Sequence, residues 1–434
     1  MSEKRLSVSS PVAAAACLFA LDALAVVAAL LPVVGAQIKS GTVPALFSFL
    51  PLGVYLTGFL LSLGWLKLIG WRGDAGLFGS SALLCGIGLV MQARMGGFSM
   101  DWQQLLPLPA GILAMMLGAA VTSGGRGAWM SKVGWLAYAG AVGLMAAMLA
   151  LGNRFRGGVF MPGNMNPSEL VKPLLVLFLA SYLSRRDREF SSATIGIPTP
   201  PLRDLLVLAG LWCVPTALSI LLHDLGLMML LNATLLIMLF AVARRTGYLA
   251  LGLLAATAAG YAVQRFSAHA RARFDVWLDP FTDPTGKGWQ TLQALSAMYS
   301  GGLWGAGLGS GEPHSIPIVT SDFIYAALAE EIGLFGCALL VLAYLIFFSR
   351  GFRAAGGSET VYGRLLGAGL AGSIAVQALL NIAGVVKALP MTGITLPFIS
   401  HGGSSMVTVM LMAGMLVGLS DTGRAAPERK EADE

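Results

Sequence analysis

The sequence predicts an all-α fold, a polytopic helical membrane protein with about 12 transmembrane helices and a large outer loop between spans nine and ten. Two observations support this fold class. First, 56% of the 434 residues are hydrophobic and only 12% are charged, whereas a soluble domain carries about 25% charged residues. Second, the apolar residues fall in runs of 17 to 27, and about 20 apolar residues span the hydrocarbon core of a bilayer as a helix. The composition therefore excludes a water-soluble enzyme.

The predicted spans follow one another with short polar breaks. They are residues 12–37, 46–70, 75–94, 105–121, 131–151, 168–184, 203–222, 224–243, 247–265, 323–349, 363–388 and 403–420. An even number of spans places both termini on one side of the membrane. Lys and Arg accumulate in short cytoplasmic loops, and with the termini inside, the inner segments hold 18 of the 28 Lys and Arg residues. The charge pattern therefore predicts that both termini are cytoplasmic.

The net charge of +6 raises the question of a nucleic-acid partner. The basic residues are scattered through short loops between the spans and do not gather on one stripe. This is the pattern of a topology signal and not of a nucleic-acid footprint. We therefore expect membrane lipids, and no nucleic acid, as partners.

Residues 266–322 form the outer loop that joins spans nine and ten. Connections of this length are uncommon in compact proteins and usually carry function. The loop contains two Asp-Pro steps, at Asp279 and Asp283, and then a half-apolar stretch at 289–303 that is predicted to form a short amphipathic helix at the outer surface. The C-terminal residues 421–434 are charged and rich in Ala, and are predicted to be disordered.

Ionisable residues at membrane depth are costly, so each of them suggests a functional site. Glu169 and Lys172 begin span six, and their spacing of three residues places them on one face of the helix. Further charged residues fall toward the outer ends of their spans, namely Asp224, Asp322, Glu330, Glu331 and Lys387. Two interpretations stay open: the charges are paired structural groups in the bundle, or they line an outward-facing polar cavity.

Four basic residues would give such a cavity a positive charge near the outer headgroups: Lys172, Lys387, Arg154 and Arg156. Positive groups suit an amphiphile that carries a phosphate or a diphosphate. Basic residues at an interface also simply anchor a protein to anionic lipids. For Arg154 and Arg156 the sequence does not decide between a ligand site and an anchor.

Asp279 and Asp283 also have two interpretations. An Asp before Pro commonly begins a turn, because the residue before Pro is pushed out of the α region and the carboxylate caps nearby amides. A carboxylate on an ordered outer loop over a polar cavity could instead act as a general base that deprotonates a sugar hydroxyl. The spacing alone does not choose between the turn and the base.

Two glycine-containing segments were compared with known types of anion site, and only the second remains a candidate. The Gly-rich loop, which we define as residues 301–311, contains GAGLG at 305–309, but neither a strand before it nor a P-loop Lys after it is present. A nucleotide site is therefore excluded there. The segment 400–405 precedes the last span, where the free amides of a helix N-terminus could face an anion.

Six motifs follow one another along the chain. They are NPSELVK (166–172), HDLG (223–226), DPFTDPTGKGWQ (279–290), SGG with GAGLG (300–302 and 305–309), DFIY with EEIG (322–325 and 330–333), and LPFISHGGSS (396–405). In this order they resemble the SEDS proteins (shape, elongation, division and sporulation), the group of polytopic bacterial cell-wall polymerases that contains RodA and FtsW. The resemblance runs from about residue 75 to residue 420.

The resemblance implies a peptidoglycan glycosyltransferase that polymerises lipid II, an undecaprenyl-diphosphate disaccharide-pentapeptide, at the outer face of the bacterial cytoplasmic (inner) membrane. It implies a class B penicillin-binding protein as a partner, which cross-links the glycan. Asp283 matches the essential carboxylate of the family and is the predicted catalytic base. The predicted substrate-binding residues are Glu169, Lys172, Arg154, Gln290 and Ser404.

The chemistry of this reaction agrees with those assignments. Transfer of a sugar to a 4-hydroxyl, with a lipid diphosphate as the leaving group, needs at least a base and a cation that stabilises the diphosphate. Asp283 and Lys172 are suitable for these two roles. A divalent cation, Mg²⁺ or Mn²⁺, could assist the leaving group, but no ligand cluster in the sequence demonstrates a metal site. No cofactor is therefore assigned.

The chain departs from the family pattern in two ways. The family usually has ten spans, so residues 1–74 are predicted to add a tail and two further spans before a ten-helix core at 75–420. Single motif positions also differ, among them Asn166, Thr320 and His401, where the family usually has Gln, His and Tyr. These changes leave open whether the protein serves elongation, division or sporulation.

Two other functions are compatible with a polar helical bundle. A flippase for a polyprenyl-diphosphate-linked sugar should have inverted repeats and broken helices at mid-membrane, and no clear internal repeat is present. Its ionisable residues should also be spread through the membrane depth, whereas here they crowd the outer end. The other alternative is an inactive scaffold, and the retention of Asp283, Glu169 and Lys172 argues against it.

Overall fold

The computed structural model describes residues 10–39, 46–96, 106–155, 158–160, 166–191, 202–244 and 246–421. These residues form α1 (Pro11–Lys39), α2 (Leu50–Leu68), α3 (Ala75–Gly96), α4 (Pro107–Thr122), α5 (Gly134–Leu151), β1 (Asn153–Phe155), β2 (Gly158–Phe160), α6 (Ser168–Ser184), α7 (Asp187–Ser191), α8 (Leu202–Leu221), α9 (Leu225–Ala243), α10 (Thr246–Phe266), α11 (Ala268–Leu278), α12 (Trp289–Gly301), α13 (Ile324–Gly356), α14 (Val361–Val385) and α15 (Gly403–Leu419). Short 3₁₀ turns lie at Leu46–Phe49, Ser123–Lys132, Pro280–Thr282 and Pro313–Ser315. Apart from Asp421, the C-terminal tail that was predicted to be disordered lies outside the described residues.

A helix overlaps each of the predicted spans. In the described part of the chain, nine helical segments have at least 18 residues and are apolar enough to cross a membrane, and one of them is α4 together with the 3₁₀ turn that follows it, Pro107–Lys132. The remaining predicted spans correspond to α6 and α15, which have 17 residues each, and to α10. The chain is therefore a multi-pass helical membrane protein, as predicted, while the count of twelve spans stays a prediction. We call the face that carries α11, α12 and the Gly-rich loop the outer face, and the opposite face the inner face.

A small antiparallel hairpin follows α5 and departs from the purely helical prediction. Its strands β1 and β2 have three residues each, too few for an alternating sequence pattern to reveal them, and Asn153 pairs with Phe160. The backbone of Arg154 lies in β1. The side chain of Arg154 and all of Arg156 lie outside the described part, so the predictions for these two residues stay open.

Helix α14 lies at the centre of the bundle and α1 at its edge. Of the 18 most apolar consecutive residues of α14, 83% are buried inside the protein, whereas the same fraction for α1 is only 22%. Helix α14 contacts α6, α9, α13 and α15.

Helices α15 and α4 pack closely on each other at two glycines. A Cβ added at Gly118 would lie 2.5 Å from a backbone carbonyl oxygen of α15, and a Cβ added at Gly414 would lie 2.0 Å from one of α4. Small residues at such crossings let membrane helices approach closely.

The two predicted additional spans, α1 and α2, pack against α3. In their contact, Phe59 stacks on Phe19 with 5.5 Å between ring centroids and meets Phe78 of α3 edge-on at 5.7 Å. At its outer end α1 reaches the Gly-rich loop, since a Cβ added at Gly309 would lie 3.0 Å from the Cβ of Ala36. Helix α1 therefore supports the outer loop from one side.

The outer end of α13 contains a break at Gly333, whose backbone has φ 66° and ψ −172°. This conformation is essentially restricted to glycine. The break exposes backbone groups that the Gly-rich loop binds: the amides of Ala306 and Gly307 donate to the carbonyls of Glu330 and Glu331 at 2.9 and 3.0 Å. The loop is thereby fastened to the outer end of α13.

We expect Gly333→Ala to detach the Gly-rich loop and to lower the free energy of unfolding by about 2 kcal/mol, because the new side chain strains the backbone. A Cβ at this position would lie only 2.3 Å from the amide nitrogen of Gly305. Gly356→Ala in the same helix is the matched control, since nothing lies within 4 Å of a Cβ added there. Thermal unfolding and limited proteolysis in detergent measure both effects, and equal behaviour of the two variants would contradict this role of the break.

Candidate active site

A buried ion pair lies one turn into α6. The ammonium of Lys172, whose side chain is only 3% exposed, donates to Oε2 of Glu169 at 2.5 Å. The two side chains meet because residues three apart share a helix face. Glu169 lies in the first turn of the helix, where the helix dipole stabilises a carboxylate. The pair therefore places a partnered ammonium group at the outer end of α6.

Lys172 is also bonded to a polar residue that the sequence analysis did not single out. Its Nζ donates to Oε1 of Gln377 in α14 at 2.9 Å, and Gln377 is fully buried. The amide nitrogen of Gln377 donates to the hydroxyl oxygens of Thr395 and Ser405, each at 3.3 Å. We call these four side chains, together with Glu169, the Lys172 network. It connects α6, α14 and the first turn of α15.

A sequence signal for Gln377 was available. It lies in the middle of an apolar run, and a polar residue at membrane depth suggests a functional or packing role. The predicted substrate-binding residue Ser404 is the neighbour of Ser405, and it is Ser405 that joins the network. Ser404 itself is half-buried on the first turn of α15, and its binding role stays a prediction.

A second group of charges lies close to the network. The charge of Arg273 on α11 interacts with the carboxylates of Asp224 and Asp322. Asp224 caps α9 and also interacts with the charge of Lys172, so it links the two groups. Burial raises the pKa of Asp322, whereas a hydrogen bond from Ser321 and the charge of Arg273 oppose this shift. Burial lowers the pKa of Arg273, and both carboxylates oppose that shift.

The structure thus brings together the sequence-predicted residues Glu169, Lys172, Asp224 and Asp322, and it adds Arg273. Among the described residues of this cluster three carboxylates accompany two cations, so these residues alone do not give the predicted excess of positive charge. The prediction also counted Lys387, which donates to the carbonyl of Leu278, and Arg154 and Arg156, whose side chains lie outside the described part. The cluster is therefore a mixed-charge group in which each cation has carboxylates close to it.

Glu330 and Glu331 belong to a separate structural arrangement. Nε of Arg94 donates to Oε1 of Glu331 at 2.7 Å, and Nη2 of Arg94 donates to the carbonyl of Gly311 at 2.7 Å. The amide of Gly309 donates to Oε2 of Glu331 at 3.1 Å, and Glu330 accepts a further backbone amide of the outer loop at 2.9 Å. The contacts of Glu331 therefore fit the interpretation as a paired structural group, whereas Oε2 of Glu330 is buried without a hydrogen-bond partner among the described residues.

Each of the two Asp-Pro steps forms a turn in which the Asp carboxylate accepts a backbone amide, two residues ahead at Asp279 and four residues ahead at Asp283. The carboxylate of Asp279 accepts the amide of Phe281 at 2.9 Å, and the carboxylate of Asp283 accepts the amide of Lys287 at 3.0 Å. Both Asp side chains are exposed. The predicted turn geometry is thus present at both steps. At Asp283 the turn uses only Oδ2, so a turn and a reactive carboxylate are compatible in the same residue.

The turn that carries Asp283 begins at an anchor on the outer end of α14. Nε1 of Trp277, near the end of α11, donates to the carbonyl of Lys387 at 3.1 Å, and Nζ of Lys387 donates to the carbonyl of Leu278 at 3.4 Å. Gln377 lies eight residues before the last residue of α14, which corresponds to a rise of about 12 Å. The Asp283 turn and the Lys172 network are therefore positioned by the same helix, one at its outer end and one below it.

Helix α12 follows the Asp283 turn and confirms the helix predicted at 289–303. It begins at Trp289, and the predicted substrate-binding residue Gln290 lies half-buried in its first turn. Gln290 is thus close in sequence to the Asp283 turn, and its role in binding stays a prediction. Within the described ranges, no group of three or more His, Cys, Asp or Glu side chains is arranged to hold a metal ion.

Comparison with known proteins identifies the family. Residues 82–425 match the family model of FtsW, RodA and SpoVE, which is described as a cell cycle protein. The chain belongs to this family. The SEDS resemblance is therefore confirmed, and because the matched residues begin within α3, helices α1 and α2 lie outside the match.

Two curated relatives and one solved structure illustrate the relationship. The peptidoglycan glycosyltransferase RodA of Mycobacterium bovis is 31% identical over 360 residues, which cover 79% of this chain and 77% of the relative. The stage V sporulation protein E of Bacillus subtilis is 35% identical over 267 residues, which cover 60% of this chain and 70% of the relative. A chain of a solved peptidoglycan synthase complex, reported for its coordination of polymerization and crosslinking, has a TM-score of 0.65 and 26% identity, covering 80% of this chain and 96% of that one.

Proposed function

We propose that this SEDS-family chain is a peptidoglycan glycosyltransferase that polymerises lipid II at the outer face of the cytoplasmic membrane. The observation that carries the proposal is that one helix, α14, positions both groups: the turn of the exposed carboxylate Asp283 is anchored at its outer end, and the buried ammonium of Lys172 is bonded to its Gln377. A base and a cation that stabilises a diphosphate are the minimum groups for this transfer. The similarity to a relative that is named a peptidoglycan glycosyltransferase supports the activity.

In the proposed reaction the 4-hydroxyl oxygen of one sugar attacks the anomeric carbon of another. A glycosidic carbon–oxygen bond forms while the bond from the anomeric carbon to the lipid diphosphate breaks, and the electron pair of the broken bond leaves with the diphosphate. Asp283 accepts the proton of the hydroxyl. Lys172 stabilises the negative charge that grows on the leaving diphosphate.

The Lys172 network supports the proposed role of Lys172 by orienting its ammonium group. An ammonium has three donors, and two of them bind Glu169 and Gln377. Among the described residues no hydrogen bond occupies the third donor, and we assign this donor to a phosphate oxygen of the bound substrate. A donor that is already fixed in place needs little reorganisation when the leaving group becomes charged.

We expect Gln377→Leu to lower kcat about tenfold, because the loss of a hydrogen bond to a charged group costs about 1.5 kcal/mol and leaves Lys172 less well oriented. The matched control is Ser373→Ala, one turn earlier in α14. Ser373 is fully buried, and its hydroxyl has no hydrogen-bond partner in the described part of the structure, so this variant should retain wild-type turnover. Equal losses in both variants would mean that general packing of α14, and not the network, controls the rate.

We infer a class B penicillin-binding protein as the partner of this chain. The similarity to a chain of a peptidoglycan synthase complex supports this inference. The described residues offer no ligand cluster for a divalent cation, so we assign no step of the reaction to a metal ion. Polymerisation in EDTA, followed by addition of Mg²⁺ or Mn²⁺, tests whether a cation is needed.

The activity is tested by incubating the detergent-purified chain with lipid II, alone and with its class B penicillin-binding protein, and separating the products by gel electrophoresis. We expect a ladder of glycan strands that requires the chain. The absence of polymer in every condition, together with translocation of lipid II across vesicles that contain the chain, would contradict the proposal and favour the flippase.

A further inference from the structure

A cavity of about 330 Å³ lies at the inner ends of α5 and α6, far from the proposed active site. Its lining residues are Trp135, Phe178, Ser181, Tyr182, Arg185 and Arg186. Arg185 follows Lys172 by 13 residues along α6 and its C-cap, a rise of about 20 Å. The cavity therefore opens at the opposite membrane face from the Lys172 network, and the polymerisation chemistry makes no use of it.

One wall of the cavity is aromatic and reaches the surface of the bundle. The ring of Phe178 lies 5.4 Å from that of Trp135 and 5.8 Å from that of Tyr182, measured between centroids. Trp135 is 53% exposed, so this wall continues onto the lipid-facing side of the bundle. Trp and Tyr are enriched where membrane helices meet the headgroup layer. An exposed aromatic wall at this end of the bundle is therefore expected at the depth of the lipid glycerol groups.

The other wall supplies positive charge in fixed positions. The guanidinium of Arg186 lies 4.1 Å from the centroid of the Tyr182 ring and 3.1 Å from Oδ1 of Asp204. Arg185 donates from Nη2 to the carbonyl of Ser131 at 2.8 Å. A guanidinium has five donors in a planar fork that matches a phosphate, and the described residues take only this one donor of Arg185. Arg185 is exposed, so the remaining donors can bind an incoming anion.

We propose that this cavity binds the phosphodiester headgroup of an anionic phospholipid from the inner leaflet. Arg185 pairs with the phosphate, and the aromatic wall packs against the glycerol region. Basic pockets between transmembrane helices on the cytoplasmic side are suited to anionic headgroups. A soluble phosphate has the same charge chemistry, but the exposure of the wall at Trp135 to the lipid side favours a ligand that arrives from the membrane.

The test measures binding of fluorescent phosphatidylglycerol to the purified full-length chain in detergent. We expect unlabelled phosphatidylglycerol to displace it and phosphatidylcholine to be ineffective. Arg185→Gln should weaken binding about fivefold, which corresponds to about 1 kcal/mol for one Arg at the membrane surface. Arg188→Gln is the matched control, because it removes the same charge three residues later from a side chain that does not line the cavity, and it should change the affinity less than twofold.

Three results would overturn the proposal. Equal displacement by phosphatidylglycerol and phosphatidylcholine would exclude recognition of the headgroup. Equal weakening by Arg185→Gln and Arg188→Gln would indicate a general charge effect. Displacement by glycerol 3-phosphate or inorganic phosphate at the same concentration as phosphatidylglycerol would identify a soluble anion as the ligand. Trp135→Leu provides a second, independent variant, and we expect it to weaken lipid binding while the chain remains monodisperse.

Discussion

Asp283→Asn is expected to lower the rate of lipid II polymerisation at least about 100-fold, because a positioned general base contributes about 10²- to 10⁴-fold to a rate. The Asn side chain retains an oxygen that can accept the amide of Lys287, which the carboxylate binds at 3.0 Å. The turn therefore persists while the proton acceptor is lost. Because the side chain is exposed, the unfolding temperature should stay at the wild-type value.

The chain contains a matched control for this variant. Asp279 also precedes Pro, is exposed, and accepts a backbone amide, that of Phe281, at 2.9 Å. We expect Asp279→Asn to change the rate less than about threefold, as is usual for a surface substitution. If both variants lost activity equally, the turn structure and not the Asp283 carboxylate would be the essential feature.

Lys172→Met is expected to abolish detectable polymerisation and also to destabilise the protein. The substitution removes the cation that is proposed to stabilise the diphosphate. It also leaves Glu169, whose side chain is 12% exposed, without its counter-charge, and breaking a buried pair from one side costs about 3 kcal/mol or more. Thermal unfolding and polymer formation should therefore both fall below those of the wild type.

A double variant separates the two effects of Lys172→Met. Replacing both members of a buried ion pair by uncharged residues is often nearly neutral for stability. We therefore expect Lys172→Met combined with Glu169→Gln to recover the unfolding temperature but not the activity. Recovery of both properties would show that Lys172 has only a structural role.

The helical fold was largely predictable because a bilayer imposes long apolar runs on any helix that crosses it. The ends of the helices were less predictable. Helix α13 runs to Gly356, seven residues past the predicted end at 349, because its last turns carry Arg353 on one side and bury Ala354 and Ala355 on the other. A hydropathy average does not detect an amphipathic end of this kind, because the polar and apolar residues of the last turns cancel when their values are averaged.

The candidate site was predictable only where its contacts are local. The pair Glu169–Lys172 follows from the helical repeat, and the turns at Asp279 and Asp283 follow from the Asp-Pro steps. The bond from Lys172 to Gln377 joins residues 205 positions apart, and the pair of Arg94 and Glu331 joins residues 237 positions apart. Local patterns contain no information about such contacts, because tertiary packing alone brings the helices together.

The central claim is that this chain transfers sugars between lipid-linked substrates. The most direct test measures glycosidic bond formation and release of the polyprenyl diphosphate in the same sample of purified chain, lipid II and class B penicillin-binding protein, for the wild type and for Asp283→Asn. Our account predicts one released lipid diphosphate for each new bond in the wild type, and rates of both products at least about 100-fold lower in the variant. Release and bond formation at wild-type rates in Asp283→Asn, or neither product in the wild type, would contradict it.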